Sequence, residues 1–406
     1  MASGNKPVIV VGGGLGGLSA ALTLGLKGRK VHVIEQAAEI APIGYGIQLG
    51  PNVFPVFDRL GVTDAVMQAS HLPPTLRMSD ALSGEELINF SPTSPQYRER
   101  FKHPYVVIHR ADIHNILLDA CKKIDGIELT VSTTVTGFSQ DGGGVRVACE
   151  DGRDFEGAAL IGADGIKSRI REHFVPGDTP KPNGYVAHRT LLDPADVPEG
   201  TPYMEEVVLW AGPGYHIVHY PLRHNTIFNV VAVFRQPDYV GDEEVPSHEE
   251  EVRAVYSDAC PSLKALVAKM DLERRWVLAD RNPIRHWCDG RAAMLGDAAH
   301  PTLQTLAQGA CMAIEDADCL GEALEATEFD YERAFVLYQN NRVIRAARVQ
   351  LTSRTLWEFY HKEGLARDVR NVEAREMTDE DFQNCVSWVW SGRQPLELAS
   401  AGAGPG

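Results

Sequence analysis

An imidazole and a phenol lie four residues apart in the segment GYHIVHY, and each group can hold or pass a proton. The segment has the composition of a strand, in which successive side chains point to opposite faces. This alternation places His216, Val218 and Tyr220 on one face, and Ile217 and His219 on the other. We therefore expect the imidazole and the phenol to project into the same space. The alternative is that His216 is an ordinary core or surface histidine.

The glycine-rich segment GGGLGG follows an apolar strand pattern and precedes an Ala/Leu-rich helix pattern. Gly12, Gly14 and Gly17 have the spacing GxGxxG, which permits a tight turn, close approach of backbone to pyrophosphate, and close helix–sheet packing. Free amides around Gly14, Leu15 and Gly16 would face phosphates at the positive helix end. In this context we predict dinucleotide binding. The alternative is a loop that serves only the turn, and the fingerprint alone does not separate FAD from NAD.

Two charged residues extend the predicted nucleotide site. Glu35 ends the second strand, where a carboxylate accepts hydrogen bonds from a ribose diol and disfavours a ribose phosphate. Arg110 opens the helix of HRADIHNILL, and a cation at that end opposes the helix dipole. Its placement indicates a bound anion such as a pyrophosphate. A solvated surface arginine is the alternative.

Two later turns place an aspartate after a strand pattern. GADGIKSRIR carries Asp164, and MLGDAAHP carries Asp297. Either aspartate could bind a cofactor or could only cap a helix. The second turn continues through a His-Pro break to a new helix from about Gly309, so this stretch is suited to wrapping a bound molecule.

The composition excludes several classes of partner. The 406 residues carry 39 Lys+Arg against 55 Asp+Glu, and the resulting net charge of -16 repels nucleic acid and anionic membrane surfaces. No stretch approaches the roughly 20 apolar residues of a membrane-spanning helix. Seven cysteines without a close pairing motif, and a start without a secretory signal, indicate reduced thiols in the cytoplasm. We predict no metal site.

The order of strand and helix patterns predicts an α/β fold. A Rossmann-like βαβ unit opens the chain, a β-rich insertion ends in one helix near 247–269, and a long helix covers 331–360. A chain of this length should form two interleaved domains. We predict a nucleotide-binding domain over residues 1–180 and 281–325, a substrate-binding domain over 181–280 with 72–104 as a further candidate part, and a C-terminal helical region over 326–406.

Together, the glycine fingerprint, the DG turn and the late GD turn resemble the single-component FAD-dependent aromatic hydroxylases over nearly the whole chain. The resemblance implies a Rossmann-like FAD-binding domain with these motifs, an inserted β-rich substrate domain and C-terminal helices. FAD would be bound non-covalently. The implied contacts are Glu35 at the adenosine ribose, Val135 near adenine, Arg110 on the pyrophosphate side, Asp297 at the ribityl and pyrophosphate region, Gln48 of GIQLGPN near the isoalloxazine, the Gly309 and Ala310 amides at the pyrimidine edge, and Asp164 toward both flavin and reduced nicotinamide.

The trio His216, Tyr220 and Gln304, with the string QTLAQGACMAIEDA, looks most like the 3-hydroxybenzoate 6-monooxygenases. This implies that NADH reduces FAD, that a flavin hydroperoxide formed with dioxygen hydroxylates a small aromatic acid, and that the product is gentisate (2,5-dihydroxybenzoate). His216 would accept or polarise the phenolic proton, because an unperturbed imidazole pKa of ~6.5 suits that task. Gln304 would orient the hydroxyl or carboxylate, and Tyr220 would donate a hydrogen bond to the substrate.

Two alternative functions remain open at this stage. A salicylate 1-monooxygenase, or another hydroxybenzoate hydroxylase, would share the flavin motifs, and product identification would distinguish it. A non-catalytic flavoprotein acting as a redox-sensing partner would need no polar trio and would show no aromatic-stimulated NADH oxidation. The resemblance also implies a homodimer, which the family usually forms.

Overall fold

The computed structural model describes residues 6–39, 44–236 and 247–398. Strands and helices are mixed along the chain, and the predicted α/β class is confirmed. The strands are β1 (Val8–Val11), β2 (Val31–Ile34), β3 (Gly46–Leu49), β4 (Ser70–His71), β5 (Leu76–Asp80), β6 (Glu86–Phe90), β7 (Val106–His109), β8 (Ile127–Thr130), β9 (Val135–Asp141), β10 (Gly144–Cys149), β11 (Asp154–Gly157), β12 (Ala159–Gly162), β13 (Lys181–Leu192), β14 (Val207–Gly212), β15 (Tyr215–Leu222), β16 (Ile227–Arg235), β17 (Trp276–Asp280), β18 (Cys288–Asp289) and β19 (Ala292–Met294). The helices are α1 (Leu15–Leu26), α2 (Phe54–Leu60), α3 (Thr63–Ala69), α4 (Pro95–Phe101), α5 (Arg110–Lys122), α6 (Arg171–Phe174), α7 (His248–Val255), α8 (Pro261–Val267), α9 (Gly309–Ala326), α10 (Tyr331–Tyr360), α11 (Gly364–Glu376) and α12 (Asp379–Trp390).

A six-stranded sheet in the order β18-β19-β12-β1-β2-β8 forms one half of the molecule. Its strands run parallel except for β18. The central strand β1 is buried along its whole length, as expected for an apolar strand of a parallel sheet. The neighbouring strands β1, β12 and β19 lead at their carboxyl ends into the glycine loop, the Asp164 turn and the Asp297 turn. The three motifs therefore meet at one edge of the sheet, where ligands bind in folds of this kind.

A seven-stranded sheet in the order β17-β13-β16-β15-β14-β5-β6 forms the other half. Strands β5 and β6 come from the 72–104 stretch and join the strands of the β-rich insertion, with β5 parallel to β14. One face of this sheet packs against α7 and α8. The domain boundaries themselves stay a prediction.

The single helix expected near 247–269 is wrong. The structure has two helices there, α7 and α8, separated by a turn. Pro261 is the first residue of α8, because a proline is tolerated in a first helical turn but would interrupt the interior of a longer helix.

The C-terminal helices pack against both halves of the molecule. The long helix predicted over 331–360 is confirmed as α10, which packs on α9. Helix α11 is held to the seven-stranded sheet by the buried Asp80 carboxylate, which accepts hydrogen bonds from Arg367, Arg370 and Asn371. None of the described helices combines the length and apolarity that a bilayer span requires.

A buried ion cluster joins α9 to α10 behind the late GD turn. Arg342 donates from Nε to Asp316 (2.7 Å) and from Nη1 to Glu315 (2.7 Å), and all three side chains are fully buried. The second carboxylate oxygen of Asp316 accepts from the Gly296 amide (2.9 Å) and pairs with His300. The nearby His300 and Arg342 lower the pKa of Asp316 to about 2 despite its burial. The cluster thus fixes the GD turn relative to α9 and α10.

Removing the cation of this cluster should lower the stability of the folded protein. Arg342→Leu leaves buried carboxylates under-compensated, so we expect a loss of about 3–5 kcal/mol in the free energy of unfolding. The same change at Arg333, which is exposed on the same helix, should stay within about 0.5 kcal/mol. Urea unfolding of both variants measures this. Equal stabilities of the two variants would contradict the importance of the cluster.

The pH dependence has a defined sign. Because the pKa of Asp316 is depressed to about 2 in the folded protein, its stabilisation is complete above the unfolded pKa of about 4 and is lost as the pH falls toward 2. Repeating the urea titrations from pH 7 to pH 3 should therefore show wild-type stability falling on the acid side. Asp316→Asn should flatten that part of the profile.

Candidate active site

A cavity lies between the carboxyl edge of the six-stranded sheet and the face of the seven-stranded sheet that does not pack against α7 and α8. It collects residues that are far apart in sequence. The predicted site residues that line it are Gly14, Leu15, Gln48, Arg110, His216, Tyr220, Asp297, Gln304, Gly309 and Ala310. The predicted residues outside its lining are Gly12, Gly17, Glu35, Val135 and Asp164.

The fingerprint glycines differ in what an added side chain would meet. Gly12 has φ +107°, and a Cβ there would lie 2.3 Å from the Ala163 carbonyl oxygen. A Cβ on Gly17 would lie 1.9 Å from the Gly12 carbonyl oxygen, so Gly17 lets α1 start against the end of β1. A Cβ on Gly14 would meet no atom within 4 Å and would stand in the cavity. The fold therefore does not require a glycine at position 14, and its contact with a bound pyrophosphate stays a prediction.

Glu35 holds the glycine loop to the end of β2. Its Oε2 accepts from the Gly13 amide at 2.6 Å, and its Oε1 accepts from the Ala37 amide at 2.9 Å. Each oxygen keeps a further lone pair for a hydroxyl group. Thr133, whose amide donates to the Glu35 carbonyl, brings the start of β9 to the same region. Val135 begins β9 with its side chain buried in the core, so a contact with adenine would come mainly from its main chain.

The two aspartate turns differ in what their carboxylates do. Asp164 accepts from Ser168 Oγ (2.5 Å) and from the Arg169 (2.7 Å) and Ile170 (3.2 Å) amides, which is the capping alternative. Its function toward flavin and nicotinamide stays a prediction. Asp297 caps nothing, faces the cavity and makes no hydrogen bond within the described part of the chain.

The cavity contains a cation at its nucleotide side. Arg110 is the first residue of α5, and its amide donates to the Tyr45 carbonyl. Its guanidinium has no hydrogen bond or ion pair with any described residue. Burial raises the pKa of Asp297, whereas His300 and Arg110 lower it. An anion and a hydroxyl-rich group would satisfy Arg110 and Asp297 respectively.

The face of the seven-stranded sheet forms the opposite wall. His216, Val218 and Tyr220 of β15 line the cavity. Ile217 packs on the other side, in the core with α7 and α8. His219 is fully buried there between aromatic rings. The structure thus has the alternation that the strand pattern predicts.

His216 is paired with a residue that the sequence did not reveal. Its Nδ1 lies 2.7 Å from Nε2 of His361, and the two rings stack at 4.9 Å between centroids. Burial lowers the pKa of His216 to about 3. The expected pKa near 6.5 is therefore wrong, because the expectation assumed a solvated ring. His361 follows α10 and is 145 positions away in the chain, a separation that no local spacing signals.

Two glutamines that line the cavity from outside this sheet also accept hydrogen bonds. Gln304 Oε1 accepts from Arg189 Nη2 at 3.1 Å. Gln48 Oε1 accepts from the buried hydroxyl of Tyr105. Burial raises the pKa of Tyr220, which keeps its phenol protonated. Sequence reasoning missed Arg189 and Tyr105, although an arginine within an apolar strand pattern was a signal that could have been used.

The sequence as a whole now decides the family. A profile described as "FAD binding domain" matches residues 5–350. The chain belongs to this FAD-binding family. A 3-hydroxybenzoate 6-hydroxylase from Polaromonas naphthalenivorans (strain CJ2) is 44% identical over 386 residues, covering 95% of this chain and 95% of that protein. A second 3-hydroxybenzoate 6-hydroxylase, from Klebsiella oxytoca, is 39% identical, covering 95% and 96% respectively.

A solved structure extends the similarity to three dimensions. Klebsiella pneumoniae HpxO complexed with FAD and uric acid has 27% sequence identity and a TM-score of 0.84, covering 96% of this chain and 98% of that chain. The cavity of this FAD-binding protein fits its cofactor. Gly14 leaves room for close approach, Arg110 offers an unpaired cation, and the amides at the start of α9 come from Gly309 and Ala310.

The contrast between two glycines gives a direct test of cofactor binding. Gly14→Ala places a methyl group in the cavity, so we expect weaker FAD binding by about tenfold or more, which is about 1.4 kcal/mol, with little change in folding. Gly17→Ala forces main chain apart and should cost about 1–3 kcal/mol of stability. Titration with FAD and melting curves without added FAD separate the two effects. Wild-type FAD affinity in Gly14→Ala would show that no ligand approaches this residue.

Proposed function

We propose that this FAD-dependent monooxygenase converts 3-hydroxybenzoate to 2,5-dihydroxybenzoate, gentisate, with NADH and dioxygen as co-substrates. The carrying observation is that His216, Tyr220 and Gln304 line a cavity whose opposite wall is the FAD-binding edge. The two relatives of 44% and 39% identity are 3-hydroxybenzoate 6-hydroxylases, which supports the same substrate and position of attack. A binding-only flavoprotein has no need of these side chains.

FAD would be held without a covalent bond by residues at the carboxyl edge of the six-stranded sheet and at the starts of α5 and α9, which we call the nucleotide wall. The fingerprint amides and Arg110 would take the pyrophosphate, Glu35 and Asp297 would take hydroxyl groups, and the start of α9 would lie at the ring. The positive end of this helix favours a reduced, anionic flavin. When bound, FAD supplies the redox chemistry that takes electrons from NADH and activates dioxygen. NADH would bind transiently, and its preference over NADPH rests on the resemblance alone.

The phenol of the substrate would meet His216 at Nε2. Its Nδ1 is engaged with His361, so Nε2 is the ring nitrogen that remains for the cavity. A phenolic O–H can donate to this nitrogen only if His216 Nδ1 carries the proton and donates to His361 Nε2. Because the pKa of His216 is about 3, the imidazole polarises the phenol by a hydrogen bond and is a poor store for its proton. This polarisation raises the electron density at the carbons ortho and para to the hydroxyl.

Gln304 and Tyr220 would hold the ring in place. Arg189 occupies Gln304 Oε1, so its amide Nε2 is the atom that can donate to a hydroxyl or carboxylate. Tyr220, protonated because of its raised pKa, also donates. A ring fixed at two points presents one edge to the cofactor, which is how para attack can be selected over ortho attack. A ring held between the two walls of the cavity would also have less water at the reacting centre.

The alternative of a salicylate 1-monooxygenase is not favoured, because the relatives of 44% and 39% identity described above are 3-hydroxybenzoate 6-hydroxylases by name. We further propose that the protein acts in the cytoplasm as a homodimer. Light scattering of the purified protein tests the assembly.

Product analysis tests the proposed reaction. The FAD-loaded protein is incubated with NADH, air and each hydroxybenzoate isomer, and the products are identified. We expect gentisate from 3-hydroxybenzoate, with NADH oxidation stimulated by that acid. Catechol from salicylate as the main product would replace our assignment with the alternative. NADH oxidation that no aromatic acid stimulates would favour a binding-only flavoprotein.

Substitution of the two substrate-side residues tests their assignment. His216→Ala should lower the rate of hydroxylation by about 10²-fold or more, because the phenol loses its acceptor, while FAD binding is retained. Gln304→Ala should act more mildly and divert reducing equivalents to hydrogen peroxide. NADH consumed, peroxide formed and gentisate formed are measured for each variant.

A matched control comes from the turn that follows β15. His224→Ala removes an exposed histidine outside the cavity lining and should behave as wild type. Gentisate yields and rates at the wild-type level in both His216→Ala and Gln304→Ala would show that the active site is placed wrongly.

A further inference from the structure

An arginine lies in the middle of the substrate wall, which is the face of the seven-stranded sheet that lines the cavity. Arg189 of β13 pairs with Val231 of β16, which pairs with Val218 of β15, which pairs with Leu209 of β14. This cross-strand row is continuous, and all four residues line the cavity. The row lies between that of His216 and that of Tyr220, so Arg189 belongs to the substrate side of the cavity.

The guanidinium of Arg189 has no counter-ion. No carboxylate of the described residues pairs with it, and its side chain makes one hydrogen bond, to Gln304 Oε1. The Tyr45 ring lies 5.9 Å from its Cζ. Burial lowers the pKa of this arginine, a sign of desolvation without compensation. The fully buried arginines with a carboxylate partner include Arg171 with Asp178, Arg342 with Asp316, and Arg370 with Asp80.

A desolvated cation without a counter-ion costs free energy unless a ligand supplies the anion. Guanidinium groups bind carboxylates through parallel N–H donors. Arg189 uses one Nη2 contact, so Nε and Nη1 are left for a ligand. Gln304 Nε2, held beside the guanidinium by the same contact, adds another donor.

We propose that Arg189, with Gln304, is the carboxylate anchor of the substrate and thereby sets which ring carbon is hydroxylated. This rests on the proposed function. Strand β16 separates β13 from β15, so the Arg189 and His216 main chains are roughly 10 Å apart across the sheet. The two groups thus approach an aromatic acid from different sides, one at its carboxylate and one at its phenol.

This placement selects among isomers. In 3-hydroxybenzoate the carboxylate and hydroxyl are meta, and the carbon para to the hydroxyl adjoins the carbon that bears the carboxylate. Fixing the carboxylate therefore also fixes the carbon that is attacked. In salicylate the two groups are on adjacent carbons and fit two separated anchors poorly. In 4-hydroxybenzoate the para carbon is already substituted.

The affinities of three ligands that differ in their carboxylate or phenol test whether Arg189 binds the carboxylate. The FAD-loaded protein is titrated with 3-hydroxybenzoate, with benzoate, which lacks the phenol, and with neutral 3-hydroxybenzamide, which lacks the carboxylate; flavin absorbance reports binding. Arg189→Met should weaken binding of both acids by about 10²-fold and change binding of the amide by less than about threefold. Arg189→Lys should lie between wild type and Arg189→Met, because it keeps the charge but not the fork. Arg253→Met, at an exposed arginine outside the cavity, should match wild type.

Each other outcome has a separate meaning. Weaker binding of 3-hydroxybenzamide with unchanged benzoate would place Arg189 at the phenol and overturn the proposal. Equal losses for all three ligands, or a selective loss of FAD affinity or a higher KM for NADH, would overturn it in favour of a structural or cofactor-binding function. If wild type forms no gentisate, the proposed function fails, yet selective loss of acid binding in Arg189→Met would still support a carboxylate site. Wild type that binds none of the acids overturns both.

Discussion

The shared guanidinium of Arg342 is the constraint on which the cavity depends. Two adjacent carboxylates of α9 bind it in the fully buried contact with α10. Asp316 also accepts a hydrogen bond from the Gly296 amide, which fixes the GD turn to α9. Glu315 also accepts a hydrogen bond from the side chain of Asn52, in the segment after β3. One ion cluster thus fixes the GD turn, which lines the cavity, and the segment that follows β3, a strand that also lines the cavity.

The two walls of the cavity are built in different ways. The nucleotide wall consists of turns and helix starts, whose amides and partial charges suit phosphates and a flavin ring. The substrate wall is the face of a sheet, whose cross-strand rows hold His216, Arg189 and Tyr220 at set spacings. A rigid sheet is suited to choosing one orientation of a small ring. The two requirements, binding a large cofactor and orienting a small acid, are therefore met by separate kinds of structure.

Burial changes what the imidazole can do. In water a histidine near pKa 6.5 would act as an ordinary base, but the His216 ring is enclosed beside His361 and its pKa falls to about 3. It stays neutral over the range in which enzymes work. The same enclosure makes each hydrogen bond stronger than in water. The pair of imidazoles is thus suited to orienting and polarising a phenol when His216 Nδ1 carries the proton and donates to His361.

The sequence by itself determined the α/β class, the glycine loop, the face that His216 shares with Tyr220, and the family. These follow from local rules: periods of two and 3.6, turn glycines, and motif order along the chain. Tertiary structure alone decided that His361 pairs with His216 and that Arg189 enters the cavity without a counter-ion. Those outcomes depend on which surfaces meet after folding, on desolvation, and on contacts across more than a hundred positions. Local spacing carries no information about such contacts, so the substrate wall could be located from the sequence but its electrostatics could not.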